Sequence, residues 1–166
     1  MRILIVAATA AEIAPIAASL ACIGVRGPHT VQYRYGEHDV DILVSGVGMV
    51  ATAVCCARAL TETAYDFALN VGLCGSFDPA FEPGTVVHVV ADRIAELGAE
   101  DGDAFIAIED LGLPVEAEFV NETPPVNSAL GQLPIARAIT VNTVHGNARS
   151  IATFASRFAP QVESME

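Results

Sequence analysis

Glu12 is the first residue whose position suggests chemistry. It follows an apolar opening run and the small residues Ala7-Ala8-Thr9-Ala10-Ala11. A carboxylate there can serve as a favourable partner for the positive end of a helix. Among Ala and Ile it can also be a poorly solvated base with a raised pKa, as general-base work near neutral pH requires. Gly46-Val47-Gly48-Met49-Val50-Ala51 is a second such point, since it follows a strand-like run and opens an Ala-rich stretch. This pattern either holds phosphate on helix N-terminal amides or makes a tight strand-to-helix turn. A dinucleotide site also needs an acid at the end of the next strand. Here Asp66 stands at that strand's start and Asn70 near its end, which disfavours such a site. Glu163 and Glu166 flank Ser164-Met165 and, read alone, form a solvated polar tail. His29, His38, His88 and His145 show no ligand spacing, and only His145, at a strand end, is a candidate pocket residue. Cys55 and Cys56 are adjacent, Cys22 and Cys74 are far apart, and there is no CxxC. Neither a structural zinc site nor a thioredoxin-like motif is supported, and reduced thiols in the cytoplasm are expected.

The elements that must position these residues alternate between strand and helix. Residues 3–8 form a continuous apolar run, which suits a strand covered on both faces. A helix is predicted over 11–22, ended by Gly24, Gly27 and Pro28. Residues 30–35 and 40–44 are predicted to form a hairpin around Gly36-Glu37-His38-Asp39. A helix over 49–63, strands over 67–71 and 85–90, an irregular acidic stretch over 100–134, a strand over 136–144 and a helix over 147–157 follow. A last strand starts at 161–164. The fold class is therefore α/β, with a mixed central sheet flanked by helices. Ligand sites in such sheets lie at carboxyl strand ends, which selects residues 8–12, 45–48, 72–76, 142–145 and 164–166.

Composition narrows the function. The 166 residues carry 8 Lys plus Arg against 20 Asp plus Glu, a formal charge of −12. Such a chain cannot neutralise a phosphate backbone, so no nucleic-acid partner is expected, nor docking on anionic lipid. A hydrophobic content of 52% excludes intrinsic disorder. No apolar run reaches the ~18–20 residues of a spanning helix. The single basic residue before residues 3–8 and the early Glu12 argue against a signal peptide.

Taken together, these segments resemble the nucleoside phosphorylase and nucleosidase superfamily. The opening strand followed by Glu12 resembles the family's first strand and its catalytic Glu. Ser45-Gly46-Val47-Gly48 is similar to its SGxG segment, and Asn70-Val71-Gly72-Leu73-Cys74-Gly75 to a later glycine segment. Gly84-Thr85-Val86-Val87 resembles a Gly-Asp-Ile/Val-Val strand, with Thr85 in place of Asp. Val162-Glu163-Ser164-Met165-Glu166 resembles the Val-Glu-Met-Glu-Ala ribose segment with one residue inserted. The last form, with Thr140-Val141-Asn142-Thr143-Val144 before it and the acidic Asp110-Leu111-Gly112-Leu113 region, is most similar to the futalosine hydrolases of menaquinone biosynthesis.

The resemblance implies hydrolysis of the N-glycosidic bond of a purine nucleoside. For futalosine this releases hypoxanthine and dehypoxanthinyl futalosine. Glu12 would activate water, Glu166 would accept the ribose 2′ and 3′ hydroxyls, and Met165 would pack on the ribose. Val47, Leu73, Cys74 and Gly75 would form walls and backbone contacts, with Thr143 and Val144 near the base. No metal or organic cofactor is implied, and a homo-oligomer is expected. A phosphorylase needs cations for its anion, whereas the position before the later glycine segment is the uncharged Asn70. Water is therefore the expected nucleophile. The family's leaving-group acid is an Asp beyond the Met-Glu segment. The expectation is a single domain over 1–166, truncated at its C-terminal end and poor in turnover as it stands. The alternatives are a methylthioadenosine/adenosylhomocysteine nucleosidase and a non-catalytic nucleoside-binding domain.

Overall fold

A computed structural model describes residues 1–166. The chain packs as two compact units, residues 1–73 with Glu166 and residues 74–165. The α/β class with mixed sheets is as the sequence predicts, with one five-stranded sheet in each unit. No helix is long and apolar enough to cross a membrane.

In the first unit the strands are β1 (Arg2–Ala7), β2 (Ala21–Gly27), β3 (Thr30–Tyr35), β4 (His38–Val44) and β5 (Phe67–Asn70), and the helices are α1 (Ala10–Ala18) and α2 (Met49–Glu62). The sheet order is β2-β3-β4-β1-β5, with β1 parallel to both of its neighbours. This explains the unbroken apolar run. Ile5 and Ala7 pack with Ile13 of α1 and with Val40 and Ile42, while Leu4 and Val6 pack with Leu43 and with Ala59 of α2. Both faces of β1 are covered, and each fully buried aliphatic side chain contributes about 1.5–3 kcal/mol.

Helix α1 is shorter than predicted, ending at Ala18, and residues 21–27 are a strand instead of helix or terminator. Pro15 removes a rung of the helix. The Ser19 N–H and hydroxyl then both donate to Ile16 O, closing the last turn. Beyond it, Ala21 to Gly27 find partners along β3, which outweighs their weak helical pattern. The predicted hairpin of β3 and β4 is present.

In the second unit the strands are β6 (Gly75–Ser76), β7 (His88–Ile94), β8 (Gly98–Asp101), β9 (Ala104–Ala107), β10 (Glu118–Val120), β11 (Ile135–Thr140) and β12 (Val162–Ser164), with helix α3 (Ala148–Phe158). The main sheet runs β10-β7-β11-β12-β6, with β11 parallel to β7 and β12. Strand β7 starts later than predicted because Thr85 N–H closes a turn on Glu82 O beside Gly84, whose φ is +92°. The irregular stretch hides real strands. Glu100 and Asp101 belong to the β8–β9 hairpin, whose two-residue connection has Gly102 at φ +61°. Glu118 to Val120 pair with β7. Asn147, predicted as the first residue of the helix, instead caps α3 by accepting Ser150 N–H.

Candidate active site

The first unit brings three segments to the carboxyl end of β1. Ser45 N–H donates to Ala7 O, Gly46 N–H to Ala8 O and Val71 N–H to Val6 O, at 2.9–3.0 Å. Glu12 stands among them at the third position of α1. Thr9 caps that helix in a reciprocal box: Glu12 N–H donates to Thr9 Oγ1, and Thr9 N–H donates back to Glu12 Oε2 at 2.7 Å. The Thr9 hydroxyl donates to the same oxygen at 2.8 Å. Leu73 N–H donates to Oε1 at 3.1 Å. A Cβ on Gly72 would sit 3.0 Å from Oε1, so any larger residue there would press on the carboxylate.

These donors overturn the expected raised pKa. Burial pushes the Glu12 carboxyl up, but the Leu73 amide and the two Thr9 donors hold it, on balance, below the usual carboxylate range. Glu12 is only half-buried and is ionised at neutral pH. The helix-partner reading fits this geometry, since Glu12 lies in the first turn of α1 and completes its cap.

The Gly46-x-Gly48 turn serves a carboxylate. Gly46 and Gly48 take φ of +87° and +106°, a region that only glycine enters at little cost. Gly48 N–H, at the start of α2, faces Glu166 Oε1 at 3.4 Å. Glu166 is half-buried, so the positive end of this helix meets an acid of the chain itself. Val47 is exposed beside it, and Leu73 is exposed beyond its amide.

The second unit holds the other proposed contact residues. Cys74 and Gly75 are exposed, Met165 is half-buried, and Thr143 and Val144 are exposed between β11 and α3. Behind them lies a residue that the sequence reading places in solvent. Glu163 is 4% exposed and forms a pair with His145. His145 N–H donates to Oε1 at 2.8 Å, and His145 Nδ1 lies 2.5 Å from Oε2. The His145 ring packs on Phe154 of α3 at 4.1 Å between centroids. Gly75 pairs with Glu163 across the sheet, and a Cβ there would approach its Cγ to 3.2 Å. Removing one partner of such a buried hydrogen-bonded pair typically costs about 1–3 kcal/mol. Glu163 is thus part of the packed sheet, and a three-residue strand carries too little pattern to signal it. No group of three or more His, Cys, Asp or Glu side chains is arranged to hold a metal ion.

A family model described as the phosphorylase superfamily matches residues 2–152. The chain belongs to this superfamily. Among curated relatives of this phosphorylase-superfamily chain, a futalosine hydrolase of Acidothermus cellulolyticus is 35% identical over 86% of the chain and 60% of its own length. A futalosine hydrolase of Streptomyces coelicolor is 32% identical over 70% of the chain and 52% of its own length. The chain thus spans a little over half the length of these relatives. In fold, it superposes along its whole length on 73% of a methylthioadenosine/adenosylhomocysteine nucleosidase from Colwellia psychrerythraea solved with adenine, with a TM-score of 0.80 at 20% identity.

Proposed function

We propose that this protein hydrolyses the N-glycosidic bond of a purine nucleoside, with futalosine as the substrate. The observation that carries the reading is the Glu12 carboxylate, ionised and half-open, held at the end of β1 by the Thr9 and Leu73 donors. Such a group can orient water and take its proton. Bond breaking in a nucleoside develops an oxocarbenium-like sugar, as in glycoside cleavage. Water then meets a strong electrophile, so a carboxylate of low basicity suffices if its position is fixed. Glu166 would accept the ribose hydroxyls and oppose the developing positive charge. Thr143 and Val144 would face the base, and Met165 the sugar.

Hydrolysis is favoured over phosphorolysis by Asn70, at the end of β5, which brings no positive charge for an anion. Support for futalosine over other purine nucleosides comes from the two futalosine hydrolases, which are more than 30% identical over at least 70% of the chain. The test is to incubate the full-length protein with futalosine and with methylthioadenosine, with and without phosphate, and to follow free base by chromatography. Hypoxanthine release from futalosine, indifferent to phosphate, is expected. Strong stimulation by phosphate would make the protein a phosphorylase. Preferential adenine release from methylthioadenosine would move the substrate. Binding without base release at any pH would leave a nucleoside-binding domain.

A further inference from the structure

Between β11 and α3 the strip Asn142-Thr143-Val144-His145 has no strand partner. The ladder ends where Val141 N–H donates to Ser164 O, and α3 begins after Asn147. Backbone amides leaving a sheet need acceptors, and here two carboxylates supply them, one at each end. Glu96 Oε2 accepts both Asn142 N–H at 2.8 Å and Asn142 Nδ2–H at 2.7 Å. Glu163 accepts His145 N–H at 2.8 Å and holds Nδ1 at 2.5 Å. Each acid therefore grips one residue by main chain and side chain together. Thr143 and Val144, exposed, are suspended between the two grips.

Both acids stand on fixed supports. Glu96 follows Ala95, which is fully buried and donates its N–H to Thr140 O at 3.1 Å. The turn around Glu96 is closed by Leu97 N–H on Ile94 O. Glu163 is inside the sheet, and His145 is held from behind by Phe154. Such a strip is restrained in both main-chain direction and side-chain placement, as a surface facing a flat heterocycle must be.

We propose that Glu96 and Glu163 are positioning residues which clamp residues 142–145 at both ends and thereby set the affinity for the purine base. This rests on the purine-nucleoside reading above, which assigns Thr143 and Val144 to the base. Both carboxylates are taken up by Asn142 and His145, so the clamp is expected to act on binding and to leave the bond-breaking step alone.

The experiment compares the full-length protein with Glu96→Ala, Glu96→Gln and Glu163→Gln. It uses amide hydrogen exchange over residues 142–145, hypoxanthine affinity by calorimetry, and futalosine kinetics. Glu96 is exposed, so its variants test the clamp even if the buried Glu163→Gln fails to fold. Glu96→Ala is expected to speed exchange in the strip, to weaken hypoxanthine binding and raise KM about tenfold, and to leave kcat within about threefold. Glu96→Gln, which keeps an acceptor oxygen, is expected to recover most of that loss. Unchanged exchange in Glu96→Ala overturns the clamp. So does faster exchange with unchanged base affinity and KM, or a fall in kcat alone. Wild-type protein that binds hypoxanthine yet cleaves no nucleoside refutes hydrolysis, and the clamp is then judged on exchange and affinity. Active enzyme indifferent to both Glu96 variants refutes the clamp and leaves hydrolysis standing.

Discussion

Glu12 in the first unit and Glu163 in the second are built alike and serve different ends. Each carboxylate accepts a backbone amide from a loop, and each lies against a glycine whose Cβ would crowd it. Their second partners differ. Glu12 is completed by the small Thr9 hydroxyl and amide and stays half-open. Glu163 is completed by an imidazole that is itself packed on an aromatic ring, and both side chains are buried. An acid fixed by small donors keeps an approach for water, and so can act on it. An acid closed over by a ring can only hold its partner still. The same local device therefore leaves one carboxylate open to solvent in the first unit and closes another away in the second.

The largest way to break this comparison is Glu12→Gln. It keeps the shape and an acceptor oxygen but removes the base, so turnover is expected to fall about 10²–10⁴-fold. Nucleoside affinity should stay within about tenfold. Turnover unchanged in that variant would place the chemistry elsewhere. Next comes Gly72→Ala, which sets a methyl 3.0 Å from Glu12 Oε1 and asks the carboxylate to give way by a few tenths of an ångström. A loss of about 10–100-fold in kcat is expected from misplacement alone, with the folded structure retained by circular dichroism. Full activity in that variant would show that the position of Oε1 is not critical.

The smallest effect concerns acidity. Because the Glu12 pKa lies below the usual range, the acid limb of kcat/KM should fall below the ordinary glutamate value of about 4.3. The stability that comes with this shift is present above the unfolded pKa and is lost as pH falls through the folded one. Thr9→Ala removes the hydroxyl donor and half of the capping box, so the acid limb should move to higher pH, with about 1 kcal/mol less stability in urea titration. An acid limb that stays in place would mean that the backbone amides of residues 9 and 73 set the acidity without the hydroxyl.

What could be read from the sequence follows from where the information lies. Strand β1 was legible because burial on both faces makes it uniformly apolar, and Glu12 because it stands just beyond that run among small residues, at a carboxyl strand end. The direction of its pKa was not legible. The decisive donor, Leu73 N–H, is 61 residues away and belongs to the backbone, which carries no residue-type signal. Glu163 was misjudged for a related reason, since two acids in a short terminal segment look solvated until a sheet closes around one of them. Asn142 and Glu96 are 46 residues apart, and their pairing has no local mark at all. The β8–β9 hairpin was missed among acids and glycines, where charge obscured a Gly of positive φ.

The tie between Glu12 and Leu73 also bears on how the protein is made. A ribosome delivers residue 12 long before residue 73, and until then Oε1 lacks its amide. The nascent amino-terminal segment would carry a carboxylate nearer ordinary acidity, beside a β1 strand still waiting for β4 and β5. Long-range parallel pairing of this kind is slow to close. The Glu12 carboxylate acquires its full set of donors only as the first sheet is completed, so its acidity is set by folding.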